Sequence, residues 1–477
     1  MQTPTQSTTA PLSLGRMTAF SIADFFGGGA FNIINFLFPG FLALAVGLPP
    51  GLAGLVIFIA RIFDAVIDPI IGYWSDKLRV RFGTRRGTLF VSAPLIVVSL
   101  FLTFYPYDNP SIMVRFWLSL LSYMLFCAVH SSVMIPYYSL TSEATEDYTE
   151  RSRMTSLRLG FSIFASIVCV ALPGVIVGMF DGNTGYMAMS LIFGTIFMLC
   201  VGATAIFAKE GIPAPKQTER VVFREFLLPF RVKSFRQYLY MFLCVQITMA
   251  VMSALFFFYI DFYFSRSLTA QGMGNMVGLI GAAILFGMQI VALPFYLALM
   301  KKTDKKTAYI VGALIWIVGA LFLFLVPPNA PAVVLYILAA VLGFGISGPG
   351  LVPHAIFPDV IDVGNLQFGT RCAGAFSGVS NMVIQIGQAA GVAIVMAGIG
   401  IAGFVEQDIQ AGATQVVSQP LSAQYAIIGI LALTPLFLMS IGVCVCARYR
   451  LNKARHAQVL AALEGTDADK EAVLQSL

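Results

Sequence analysis

Two aspartates, Asp64 and Asp68, stand four residues apart in the apolar run ARIFDAVIDPIIGYW. Helical spacing places them one above the other on a single face. A carboxylate inside a membrane span costs roughly 2.5–3.5 kcal/mol on insertion scales, so it persists with a partner or with a task. Two chemistries follow. Arg61, three residues before Asp64, neutralises the pair structurally; or the acids take up a proton or another cation and couple its charge to helix motion. We read the pair as a cation site.

Other polar groups are embedded in apolar runs. Arg158 lies within LRLGFSIFAS. Its guanidinium either hydrogen-bonds a polar or anionic solute or neutralises Asp24 or the Asp64 pair. Asp24, Asn32, Asn35, Tyr138, Asn381 and Gln385 are candidates for lining a solute cavity; the bland alternative is hydrogen bonding between helices. His130 reads as an interior histidine. His354 and Asp359 spell H-x-x-x-x-D, an acyltransferase-like pattern with His as general base, and make a membrane enzyme the remote alternative. Six fixed-length positions with two specified residues arise easily by chance, so no enzyme is expected.

The elements that position these residues are membrane spans. Of the 477 residues, 58% are hydrophobic and 11% charged, and the mean hydropathy is +0.85. A soluble domain carries roughly 25% charged residues. Continuous apolar runs of ~20 residues favour helices over the alternating strands of a barrel. The reading is an all-α integral membrane protein with twelve spans: 17–46, 52–74, 88–105, 114–138, 154–179, 185–208, 237–264, 273–300, 307–326, 332–351, 373–404 and 423–447. A polar N-terminal segment (1–16) precedes a first six-helix bundle (17–208). A basic linker (209–236), a second six-helix bundle (237–447) and a tail (448–477) follow.

The net charge of +6 sits in short loops and does not suggest nucleic acid. Loops after spans two and eight, the linker and the tail are rich in Lys and Arg, and the alternate loops are poor in them. The positive-inside rule then puts both termini in the cytoplasm. Most of the seven cysteines lie in apolar stretches without metal or disulfide spacing, so free thiols and no metal or cofactor are expected. Internal repetition supports two halves: PYYSLTSEATEDYTERSR (136–153) and PHAIFPDVIDVGNLQFGTR (353–371) each open on proline, continue with acids and end on arginine. Repeated halves fit transporters with a central site.

Four stretches carry a family resemblance. They are VGLPPGLAGLVIFIARIFDAVIDPIIG (46–72), MIPYYSL (134–140), ERSRMTSLRLGFS (150–162) and DVIDVGNLQFGTRCAGAFSGVSNMVIQIGQAAG (359–391). In these the chain resembles the glycoside–pentoside–hexuronide:cation symporters of the major facilitator superfamily. The resemblance implies a twelve-helix major facilitator fold of two pseudo-symmetric halves that works by alternating access. It implies a cation site of Asp64, Asp68 and Ser131, the last standing where the family has Thr. Ile67 stands where the family has a ligating Asn, which favours a proton over sodium. By the resemblance Arg158 retains the family's span-five Arg, Tyr138 stands where the family stacks a Trp, and Asp24, four positions before an unmatched span-one acid, is the candidate substitute; Asn35, Asn381 and Gln385 complete the candidate solute contacts as polar groups in the spans. Met134 replaces the family's span-four acid and Gln385 its span-eleven Lys, which disfavours a galactoside.

The resemblance also implies a cytoplasmic gate of Asp76, Arg81, Arg85 and Arg86 with Glu143, Asp147, Arg151, Asp359, Asp362 and Arg371, pairing charges between halves. The expected function is proton- or sodium-coupled symport of a small polar solute, a sugar or glycoside, by a monomer in a bacterial inner membrane. The alternative is a proton-coupled exporter or carrier of a non-sugar or lipid-like solute.

Overall fold

The computed structural model describes residues 13–82, 84, 86–142, 148–180, 182–207, 228–264, 274–328, 330–368, 373–405, 419–451, 453–463 and 470. Every regular element among them is helical. In hydrocarbon only a helix or a closed barrel satisfies each backbone N–H and C=O, and these runs lack the alternation of a barrel. Eleven helical segments are long and apolar enough to cross a membrane. The first joins α1 (Leu14–Ser21) to α2 (Asp24–Gly40) and ends in a wider π turn at Phe41–Ala45. The others are built on α4 (Arg86–Thr103), α5 (Ile112–Ser142), α6 (Tyr148–Gly178), α7 (Thr184–Phe207), α8 (Lys233–Tyr259), α9 (Gly274–Lys302), α10 (Lys305–Leu321), α11 (Ala332–Phe368), α12 (Ala373–Ile401) and α13 (Leu421–Arg448). One more helix, α3 (Pro50–Phe82), is 33 residues long and carries Arg61, Asp64 and Asp68 in its middle. With it the spans number the twelve expected. A short helix α14 (Lys453–Leu463) follows.

Several helices outrun their apolar stretches. α3 continues to Phe82, α5 to Ser142 and α11 to Phe368, through segments expected to be loops. Apolar runs mark where hydrocarbon lies, whereas helix hydrogen bonding continues into water as long as the backbone permits. The 37-residue α11 even contains Pro349, Pro353 and Pro358. Between the π turn and α3, Gly47 adopts φ +66°, a conformation that favours glycine. Pro50 then opens α3 at the position where a missing N–H costs least.

Small residues set the helix contacts. A Cβ on Gly28 of α2 would lie 2.7 Å from the Ser162 Cα of α6. One on Gly312 of α10 would lie 2.8 Å from the Gly345 carbonyl of α11. The first and last six spans meet through α3 against α12, α2 against α8 and α6 against α9. α3 and α12 run antiparallel. A Cβ on Gly54 would lie 2.9 Å from the Ala393 Cα, and one on Gly400 would lie 3.7 Å from the Pro50 side chain. At the same end Phe36 of α2 packs on Phe256, Phe257 and Phe286, with centroids 5.7–6.2 Å apart. We call this end distal; the proximal end bears α14 and the basic ends of α3 and α9. Gly54→Val is expected to wedge α3 from α12 at a cost of about 1–3 kcal/mol, seen as a lower melting temperature in detergent and a larger distance between labels on the two distal rims.

Candidate functional site

α3 presents Arg61, Asp64 and Asp68 as one stripe, at spacings of three and four residues. Arg61 is buried with its guanidinium 3.8 Å above the Phe31 ring of α2. Its Nη1 lies 3.4 Å from Asp64 Oδ2, and its Nη2 donates to Asn35 Oδ1 at 3.4 Å. The Arg61 and Asp64 side chains are only 8% and 2% exposed, so each charge depends on the other. Asp68, one turn on, is half-buried. Among the described residues no Lys or Arg forms an ion pair with it.

Asp68 meets polar neutral groups instead. The Ser131 Oγ of α5 sits 2.5 Å from Asp68 Oδ1 and 3.2 Å from Asp64 Oδ1. The Gln385 side chain of α12 lies beside Asp68, and its Oε1 is buried without a partner. A hydroxyl carries one proton and donates it to one acceptor. With both carboxylates ionised, one of the two oxygen–oxygen approaches at Ser131 therefore lacks a hydrogen. A proton on either acid, or a cation among these oxygens, removes the deficit. Asn35 was expected to face solute; here it serves Arg61. His130, one residue before Ser131, is packed among Phe26, Phe31 and Phe126.

A second cluster lies within the first six spans. Arg158 Nε of α6 is 2.5 Å from Asp24 Oδ2 of α2, and the Tyr137 hydroxyl of α5 donates to the same oxygen at 2.9 Å. The Arg158 guanidinium carbon is 4.9 Å from both the Tyr137 and Tyr138 ring centroids. Of the two roles open to Arg158, pairing with Asp24 is present in this state. The Tyr138 ring is 49% exposed, so a stacking face beside the guanidinium is open. Tyr137 and its bond to Asp24 were not anticipated; the adjacent Tyr138 was the only signal. Asn32 bonds to the Gly28 carbonyl of its own helix at 2.7 Å, and Asn381 is exposed on α12.

The expected proximal gate is partly visible. Arg85, Glu143, Asp147 and Arg371 lie outside the described residues, as do the side chains of Asp76 and Arg151. Arg81 is exposed at the end of α3. Arg86 donates from Nε to the Ala205 carbonyl at 2.8 Å and from Nη2 to the Ile206 carbonyl, so it ties α4 to the end of α7. Asp359 and Asp362 depart from the expected pairing between halves. Asp359 pairs with Lys305 of α10 at 2.5 Å, and Asp362 with His456 of α14 at 3.0 Å. The helical continuation of α11 aims both acids at their own half. It also separates His354 from Asp359 by about 140° around the helix axis. His354 rests on Phe242 with centroids 5.1 Å apart, and Asp359 is held by Lys305, so the acyltransferase-like dyad does not form here.

Arg61→Gln is expected to destabilise the protein by about 3–5 kcal/mol, because it strands a buried carboxylate. Arg61→Gln with Asp64→Asn should recover part of that loss. A double-mutant cycle on melting temperature should return about 1–3 kcal/mol of coupling between the two positions.

The sequence profile described as MFS/sugar transport protein matches residues 20–453. An uncharacterized symporter of Synechocystis sp. is 26% identical, covering 92% of this chain and 95% of its own. The glucuronide carrier protein homolog of Escherichia coli is 25% identical over 84% of this chain and 86% of its own. Sodium-dependent lysophosphatidylcholine symporter 1 of Gallus gallus is 24% identical over 70% of this chain and 68% of its own. Among solved structures, the nucleoside transporter NupG superposes with a TM-score of 0.61 at 13% identity, covering 90% of this chain and 98% of its own. A bacterial homologue of the human peptide transporters PepT1 and PepT2 gives 0.62 at 12% identity, over 91% and 98%. These two likenesses bear on the fold, and the fold is that of a major facilitator. With its profile matched from the first span to the tail, the chain belongs to the MFS/sugar transport protein family.

Proposed function

We propose that the chain is a cation-coupled symporter of a small polar solute, a sugar or glycoside, working by alternating access. The observation that carries this reading is the shortage of one hydrogen at Ser131, between two membrane-embedded carboxylates of which only Asp64 has an arginine. That arrangement stores Asp64 as the fixed member of the pair and leaves Asp68 to gain and lose the cation. Proton coupling is favoured over sodium, since Ile67 offers no ligand between the acids and a single added hydrogen completes the bonding. Asp64, Asp68 and Ser131 form the cation site, with Gln385 bridging it to the second half.

The solute binds beside Asp24, Arg158 and the open face of Tyr138. An aromatic face with a charged hydrogen-bonding fork suits a ring bearing hydroxyls or a carboxylate. One relative is a glucuronide carrier protein homolog by name, which supports an acidic sugar as first trial solute. Asn381 is assigned a cavity-lining role on the same grounds of exposure. The protein acts as a monomer in a bacterial inner membrane, both termini in the cytoplasm, because the basic loops fall on the proximal side. The charges at Asp76, Arg81, Arg85, Arg86, Glu143, Asp147, Arg151 and Arg371 guard that side, in company with Asp359 and Asp362.

One observation favours a second reading. A cavity of about 690 Å³ lies between α3, α4 and α5, walled by Ile67, Ile71, Trp74, Leu78, Val91 and Pro136. It adjoins the cation site through Ile67 and Ser132, the neighbours of Asp68 and Ser131. A pocket of that size and polarity suits an alkyl chain. It would make the solute an amphiphile, as with the lysophosphatidylcholine symporters among the relatives.

Asp68→Asn in proteoliposomes should reduce concentrative glucuronide uptake driven by a pH gradient by about ten- to a hundredfold, while counterflow exchange persists. Loss of both in equal measure would overturn the cation role. Wild-type uptake driven by a sodium gradient alone would replace proton by sodium. Competition by lysophosphatidylcholine, relieved in Val91→Trp, would move the solute assignment to the amphiphile.

A further inference from the structure

A further acid lies inside the membrane-spanning region, away from both the cation pair and Asp24. Asp261 sits in the π turn Ile260–Phe264 that ends the seventh span. Such turns inside or after helices recur at functional positions. The turn brings Asp261 to a cavity of about 130 Å³ where the two halves meet at the distal end. α2 contributes Phe36 and Gly40 to its wall, α6 Val177, α7 Tyr186, and α9 Leu279. Tyr186 is the one titratable side chain that those elements place on the cavity; Asp261's own segment adds Phe257, Phe258 and Phe262. Among the described residues no hydrogen bond or ion pair reaches the Asp261 carboxyl, and it is half-buried.

That placement has an energetic consequence. An ionised carboxyl shut among phenylalanines, with no cationic partner, costs several kcal/mol. The same carboxyl at the floor of an open distal vestibule is hydrated and costs little. Closing the distal end therefore works against the charge, and a cation bound there removes the opposition. The cavity is large enough for a small ion with a water or two. We propose that Asp261 is a second cation-binding residue, a latch whose neutralisation by a proton or sodium ion lets the two halves close over it at the distal face. From the symport reading it takes only the premise that the distal face opens and closes.

The test reads conformation, not transport, and so stands apart from the uptake experiments. Spin labels are placed at Met179→Cys on the end of α6 and Val333→Cys on the start of α11, both exposed on the distal rim, in a cysteine-free background. Distances are measured without solute in potassium buffer between about pH 4 and about pH 9, a range that runs from the titration of a solvated carboxyl to that of desolvated ones. The distal-open population should rise at least about threefold with pH in the wild type. It should change by less than about 1.5-fold in Asp261→Asn, with the response kept in Asp261→Glu. Sodium added at the alkaline end recloses the wild type if sodium is a ligand, and leaves it open if the proton alone is. A wild type that ignores both pH and sodium overturns the proposal, as does an Asp261→Asn protein that responds like the wild type. Asp261→Thr, also neutral, replaces the Asn variant should the latter not reach the membrane.

Discussion

A single hydroxyl hydrogen between two carboxylates is the constraint on which the central site turns. Ser131 approaches both Asp64 and Asp68, and it can satisfy one of them. In water the remaining oxygen would borrow a hydrogen from solvent. In the core of a twelve-helix bundle it must borrow from a cation or from a neighbour that moves. Arg61 removes one candidate for that role by fixing Asp64, and Asn35 in turn fixes Arg61. The pair of acids is thus divided into a member held by arginine and one with no ion-pair partner among the described residues. Of the two readings that the bare spacing left open, neutralisation by arginine holds for Asp64 alone, and the cation role of Asp68 stands as the proposal.

Asp68 also lies where α3 of the first half faces α12 of the second. α3 and α12 touch closely at Gly54 and Ala393, and about 20 Å further along α3 they touch again through Asp68 and Gln385. The first contact is steric and indifferent to charge. The second is polar and involves an ionisable group. A helix pair held by one insensitive and one sensitive contact is suited to rocking, since loss of the polar contact leaves the packed one as pivot. The Asp24–Arg158 pair, by contrast, lies wholly among the first six spans and moves with them.

Much of this was legible in the residues themselves. Apolar runs located the spans, because hydrocarbon tolerates little else, and the spacing of Asp64 and Asp68 located the site. Ser131 was found through resemblance and Arg158 as a charge within an apolar run; the structure places Ser131 beside Asp64 and Asp68, and Arg158 beside Asp24. The partners of Asp359 and Asp362 were not legible. Whether a helix ends at its last apolar residue or runs two turns further is decided by backbone hydrogen bonding, which leaves no apolar trace, and α11's extra length redirects both acids. Asp261 was overlooked although an acid within an apolar span is itself the signal. It has no second acid one turn away, and its setting exists only once α2, α6, α7, α8 and α9 assemble around it.

The tail helix illustrates how a small electrostatic knot fixes a larger body. His456 of α14 lies 3.0 Å from Asp362 and 3.9 Å from Asp359, while Lys305 grips Asp359 and the Ala355 carbonyl. Three segments distant in sequence are thereby riveted together, and the carboxy-terminal helix becomes a rigid outrigger of the last six spans rather than a dangling appendage. A fluorophore or fiducial domain spliced after Leu463 would consequently report the tilt of that bundle alone, giving a built-in pointer for watching one half swing against the other.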